Sequence, residues 1–324
     1  MRAAVCVRAG GPEVLEVRDV PRPAVRDGWS LVEVKGAGLN RSELMTRQGH
    51  SPNVSFPRVL GIECVGVVAE STDPALAVGQ TVAAIMGEMG REFDGGYADF
   101  ALLPNELLMP VRTTLDWHTL AALPETYLTT QGSMDALGIG PGSGGRLLVR
   151  GGTSSVGMAA LSMARGYGVE TAATTRRPDK TAALTAGGAD HVIVDNGEDL
   201  GKQVREIWPD GPDYVLELVG ATTTVESLHL VHRGGTVCVT GMLSGVWAIP
   251  SFEPVAMIPS GSKLTAYHSD DFKGSAGALQ RIVDEVEAGT YQPNLDRVFA
   301  LDDVVAAHTY METNQATGKV VLVP

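Results

Sequence analysis

The chain has 324 residues, 44% of them hydrophobic, and a formal net charge of −13. That length and apolar content allow two domains with cores of their own, while the acidity excludes nonspecific nucleic-acid binding, which needs a cationic face to displace phosphate counterions; a local basic pocket around one phosphate stays open. The three cysteines, Cys6, Cys64 and Cys238, form no C-x-x-C pair, and no run approaches the ~20 apolar residues of a membrane span, so the chain reads as a cytoplasmic protein with reduced, buried thiols and no membrane contact.

The N-terminus "MRAAVCVRAGGPEVLEV" alternates like a strand and meets Gly10, Gly11 and Pro12 before a signal-length apolar core forms. Up to about Pro110 the chain reads as short β-rich runs punctuated by Gly and Pro: "AAVCV", "VLEVRDV", "SLVEVKGAG", "VGVVAES", "TVAAIM" and "YADFALL". This spacing predicts a β-rich, partly barrel-like domain.

From about Leu120 short apolar strands alternate with helical stretches: "RLLVR", "VETAAT", "HVIV", "DYVLEL", "GTVCVT" and "LTAYH" are separated by "VGMAALSMARGYG", "DKTAALTAGG", "DLGKQVREIW" and "TTVESLHLVHRGG". Repeated βα units predict a doubly wound parallel sheet, an α/β fold. After His268, "AGALQRIVDEVEAGTY" has helical spacing at Leu279, Ile282, Val283 and Val286, "LDDVVAAHTYMET" predicts another helix, and "GKVVLVP" a last strand that returns to the first domain. The division is thus residues 1–118 with 269–324, and residues 119–268.

The stretch "LLVRGGTSSVGMAALSMARGYGVETAATTRR", Leu147 to Arg177, runs from strand through small-residue turn to helix and second strand. A helix start leaves backbone N–H groups unpaired and is an anion site. Gly152-Thr153-Ser154-Ser155-Val156-Gly157 matches G-x-G-x-x-G except for Ser154 at the middle glycine; the first glycine permits the tight turn and the last lets the helix pack closely. The second strand would end in Asp or Glu for NAD, to hold the free ribose hydroxyls. Here Thr174, Thr175, Arg176 and Arg177 follow, with Lys180 one turn on; cations and hydroxyls suit a 2′-phosphate, hence NADPH.

With "GAGLNRSEL", "FPRVLGIECVGVV", "VGQTVAA", "GGYADF", "LPETYLTTQGSM", the nucleotide turn and "TGKVVLVP" in this order, the chain resembles the zinc-independent quinone oxidoreductase group of the medium-chain dehydrogenase/reductase superfamily. The resemblance implies a Rossmann-type NADPH-binding domain, residues 119–268, beside a discontinuous GroES-like catalytic domain. Zinc relatives carry a ligating Cys where this chain has Asn40 and "GHE" where it has Gly61-Ile62-Glu63, and neither the third ligand nor the four-cysteine loop has a counterpart. The activity implied is hydride delivery from NADPH to a small-molecule quinone or α,β-unsaturated carbonyl without a metal.

By the same resemblance Asn40 and Thr129 lie at the nicotinamide; Gly152, Thr153, Ser154, Ser155, Val156 and Gly157 hold the pyrophosphate; Thr175, Arg176 and Lys180 face the 2′-phosphate; Gly241 and Lys319 close the groove. Many NADPH-using relatives carry a tyrosine where this chain has Asp195. Beside Asn40, the catalytic candidates as proton donors are Tyr127, two residues before Thr129, and His50 in "TRQGHSPN"; packing at a domain junction and solvation are their plainer roles. Glu63 is expected in a salt bridge to Arg41, Glu43 has no assigned chemistry, and His118, His229, His232 and His308 read as helix-surface or interface residues. "SKLTAYH" would be a sheet edge, and relatives pair this strand into a homodimer. The apolar stretch with Trp247 and Phe252 is expected to line the pocket, or else to form a dimer contact or a plain packed loop. The rival readings are a 2-enoyl thioester reductase and a non-catalytic NADPH-binding protein.

Overall fold

A computed structural model describes residues 1–271 and 275–324; residues 272–274, within the expected 269–324 segment, lie outside the described residues. The chain divides into two units, Met1–Leu128 with Phe272–Gly289 and Leu295–Pro324, and Thr129–Asp271 with Thr290–Asn294. The first division falls at Leu128 rather than at residue 118, within the helix Pro124–Leu137.

The second unit is built on a six-stranded sheet in the order His191–Val194, Glu170–Thr175, Arg146–Arg150, Tyr214–Glu217, Thr236–Val239, Lys263–Ala266. Every neighbouring pair is parallel, and the strand order is that of the doubly wound dinucleotide fold, reversing beside Arg146–Arg150. Parallel strands covered on both faces need continuous apolar runs; Leu148, Ala172, Ile193, Val215 and Val237 supply them and pack with Leu200, Val204, Trp208 and Leu228. The helix Ser155–Tyr167 lies close because Ala159, Ala160 and Ala164 are small and fully buried, and it stops at Gly168, whose φ of 73° closes the last turn.

The first unit holds a seven-stranded sheet and a three-stranded sheet. In the larger, Trp29–Leu39 pairs antiparallel with Glu63–Ser71, Phe100–Pro104 and the C-terminal strand Lys319–Val323. The tail therefore returns to the first unit, and the register Val320 opposite Leu39 brings Lys319 beside Asn40. Strand positions lie within a few residues of those read from the sequence; the helix Arg41–Arg47, which starts in "GAGLNRSEL" and runs past it, went unread.

One histidine departs from its reading. His308 is fully buried, not on a helix surface. Its ring meets Tyr97 edge-on, 6.0 Å between centroids, and its Nδ1 lies 3.4 Å from Nη1 of the equally buried Arg47. Beside that guanidinium and out of water, the imidazole is stable only when neutral.

Candidate functional site

Strand Arg146–Arg150 leads into a turn in which Gly151, not Gly152, takes the left-handed conformation, with φ of 81°. Gly152 serves close approach: a Cβ there would stand 2.9 Å from that of Ala173. At Gly157 a Cβ would lie 2.6 Å from the carbonyl oxygen of Gly152 and 2.7 Å from that of Gly151, so this glycine lets the helix sit on the turn's own backbone. Ser154 explains the broken motif. With φ of −70° it needs no glycine, and it is the helix N-cap, its Oγ accepting from the Gly157 N–H at 3.1 Å and donating to the Gly151 carbonyl at 2.8 Å. The N–H groups of Ser155 and Val156 are left without an intrahelical partner, beside Thr153, at the positive end of a helix of 13 residues.

Thr174 holds the turn to the second strand: its Oγ1 accepts from Gly151 and its carbonyl from Gly152. Thr175 ends that strand and Arg176 follows, exposed and without an ionic or hydrogen-bonding side-chain partner among the described residues. Arg177 is committed elsewhere, to Asp179 at 2.7 and 3.0 Å. Lys180 lies buried at the start of the next helix, 8% exposed. Gly241 follows strand Thr236–Val239; a Cβ there would reach within 2.3 Å of the Leu218 carbonyl oxygen.

In the first unit a polar cluster sits among apolar neighbours. Asn40 begins the helix Arg41–Arg47, its N–H donating to Glu43 Oε2 at 2.9 Å. Its carboxamide is oriented from both ends: Oδ1 accepts from Lys319 Nζ at 2.6 Å and Nδ2 donates to Glu63 Oε1 at 2.9 Å. Lys319 and Glu63, both fully buried, pair at 2.5 Å. The partner of Glu63 is thus Lys319, because the sheet register delivers that lysine; Arg41 donates outward to Asn314. The second Glu63 oxygen accepts from the Glu125 N–H. Glu43 is also buried and accepts from the Ile62 N–H; burial pushes its carboxyl up to about 7, with Lys319 opposing.

The remaining candidates are dispersed. Tyr127 is fully buried, and Thr129 nearly so. His50 is exposed in the turn after the Arg41–Arg47 helix. Trp247 is 63% exposed and Phe252 half-buried. Sequence reasoning missed Arg150 and Glu217, buried charges at the carboxyl ends of two adjacent strands. The one signal available was an arginine closing the otherwise apolar "RLLVR".

The family model described as alcohol dehydrogenase GroES-like domain matches residues 26–113, and the zinc-binding dehydrogenase model matches residues 187–322. The human quinone oxidoreductase is 28% identical over 99% of this chain and 97% of its own. A quinone oxidoreductase of Pseudomonas syringae superposes with a TM-score of 0.88 at 26% identity, each chain fully covered. A mycobacterial protein solved in complex with NADPH superposes at 0.87 with 25% identity, again over the whole of both chains. The chain belongs to the medium-chain dehydrogenase/reductase superfamily, in its quinone oxidoreductase group, and is an oxidoreductase with that superfamily's nucleotide-binding fold.

The residues fit a dinucleotide: glycines where a Cβ would clash, free N–H groups at a helix start, and an unpaired Arg176. They do not fit zinc. At the positions of two ligands stand Ile62, with no donor atom, and Asn40, whose carboxamide oxygen is already bonded to an ammonium, while the Glu63 carboxylate is held by Lys319. Among the described residues no group of three or more His, Cys, Asp or Glu could hold a metal ion, and no helix is long and apolar enough to cross a membrane.

Proposed function

We propose that this protein is an NADPH-dependent, zinc-independent reductase of quinones or α,β-unsaturated carbonyls. The observation that carries the cofactor reading is the end of the second strand: Thr175 is followed by an exposed, unpartnered Arg176, and no acid takes the place where a ribose diol would be held. Bound NADPH supplies hydride. The chain's part is to hold it, with the Ser155 and Val156 N–H groups for the pyrophosphate and Arg176 and Lys180 for the 2′-phosphate.

For the acceptor, Asn40 is the group already oriented. Lys319 can only donate and an ionised Glu63 can only accept, so the carboxamide has one possible orientation, with one Nδ2–H on Glu63 and the other left over. That N–H is suited to an acceptor oxygen, and the ammonium on Oδ1 strengthens it as a donor. The proton that follows comes from water or from His50, which is exposed; Tyr127 would have to open to reach solvent. The unpaired thiols Cys6, Cys64 and Cys238, all buried, suit a reducing compartment such as the cytoplasm. The open edge at Lys263–Ala266 suits a two-fold homodimer.

The test is oxidation of NADPH, with NADH in parallel, by chelator-dialysed protein offered a quinone, a simple enone and a 2-enoyl-CoA. Turnover that survives chelation and prefers NADPH with the quinone or enone is the expected result. Activity lost on chelation and restored by zinc overturns the metal-free reading, and a preference for the thioester reassigns the acceptor.

A further inference from the structure

Beneath the nucleotide turn lies a charged cluster that cofactor holding does not require. Arg150 closes a strand whose preceding residues, Leu147, Leu148 and Val149, are fully buried, and is itself only 2% exposed. Its Nη1 donates to Glu226 at 2.8 Å, to Ser227 Oγ at 3.1 Å and to the Thr223 carbonyl at 3.4 Å, and its Nη2 donates to Asp195 Oδ2 at 3.2 Å. Its Nε stands 3.9 Å from Glu217.

Asp195 is the member that bears on the cofactor. It follows strand His191–Val194, and its N–H donates to the Thr175 carbonyl at 2.8 Å, so it adjoins the residue that ends the second strand. A free carboxylate at that edge repels a 2′-phosphate and so favours NADH over NADPH. Here both oxygens are already engaged: Oδ2 accepts from Arg150, and Oδ1 accepts from the Gly197 N–H at 3.0 Å. The other carboxylates have holders of their own. Glu217 accepts from the N–H groups of Val219 and Gly220 and from Ser227 Oγ, and Glu226 is half exposed to water.

We infer that Arg150 determines cofactor choice from inside the sheet, by neutralising Asp195 and turning it away from the 2′-phosphate. Arg150 touches no cofactor in this account; it positions the acid that would otherwise select NADH. The inference rests on the NADPH reading above and names a determinant outside the phosphate-facing residues.

The experiment is titration of NADPH and of NADH into the full-length chain, followed by nicotinamide fluorescence, for the wild type, Arg150→Met, Asp195→Asn and the double variant. Arg150→Met is expected to weaken NADPH by about tenfold or more while NADH changes by no more than about threefold, and Asp195→Asn added to it is expected to return NADPH to within about threefold of wild type. Asp195→Asn alone leaves the preference for NADPH in place. Because a buried arginine also supports the fold, Arg150→Gln is run beside it: it keeps a donor without the charge and shifts the ratio the same way. Equal losses of both cofactors that Asp195→Asn does not relieve, or an unshifted ratio, overturn the inference alone. A wild type that prefers NADH overturns the cofactor reading, and the inference with it.

Discussion

Two buried titratable side chains of the first unit bias its stability in opposite directions with pH. Burial raises the Glu43 carboxyl from 4.5 to about 7, while burial, with Arg47 assisting, lowers the His308 imidazole from 6.5 to about 3. Between pH 4.5 and 7 the folded chain keeps a proton on Glu43 that the unfolded chain has released, so stability falls as pH rises through that window, by about 3 kcal/mol in all. For His308 the unfolded chain takes up a proton that the folded one refuses, so stability present above pH 6.5 is lost as pH falls towards 3. Glu43→Gln is therefore expected to gain on wild type between pH 5 and pH 8, read as the shift in urea midpoint; a constant offset at both pH values would show that Glu43 is ionised throughout. Little of this was legible in the residues. Asn40 stands out because zinc relatives carry a ligand there, and Lys319, third in "TGKVVLVP", is expected at the cofactor groove, but nothing in the residues ties that lysine to Glu63. Only the pairing of Val320 with Leu39 buries it, and register depends on a partner some 280 residues away in sequence.

At the level of elements, the nucleotide turn was legible because strand, small residues and amphipathic helix follow within one short segment. Which glycine does what was not, since φ is a property of the folded turn: the left-handed residue is Gly151, just outside the recognised hexamer. The roles now assigned separate two substitutions. Ser154→Ala removes the cap on Gly157 and is expected to lower stability by about 1 kcal/mol, with NADPH binding weakened only modestly because the Ser155 and Val156 N–H groups stay in place. Gly157→Ala puts a methyl against two backbone carbonyls that cannot swing aside, which lifts the helix start from the turn; NADPH binding should be lost while the circular dichroism of the chain changes little. If both variants bind alike, the turn is not the phosphate site. The helix Arg41–Arg47 went unread for the opposite reason: at seven residues it is too short for periodicity to declare, and it stands on the Asn40–Glu43 capping contact.

For the whole molecule, the doubly wound order followed from alternation of strand and helix patterns over the second half of the sequence, and that order leaves Lys263–Ala266 at an edge with one neighbour. Bonds from the Lys263 N–H to the Gly235 carbonyl and from the Tyr267 N–H to the Val239 carbonyl fix which donors face inward. By the two-residue alternation of a strand, the N–H groups of Leu264 and Ala266 face the open side. A proline at residue 266 removes one outward donor without breaking a bond to Thr236–Val239, which is the position a sheet tolerates. If this edge joins two copies of the chain, Ala266→Pro should sediment as a monomer where the wild type is a dimer, with NADPH binding retained because the nucleotide turn follows Arg146–Arg150, three strands away in the sheet. An unchanged dimer would move the contact elsewhere, with the exposed stretch around Trp247 and Val255 the next surface to alter.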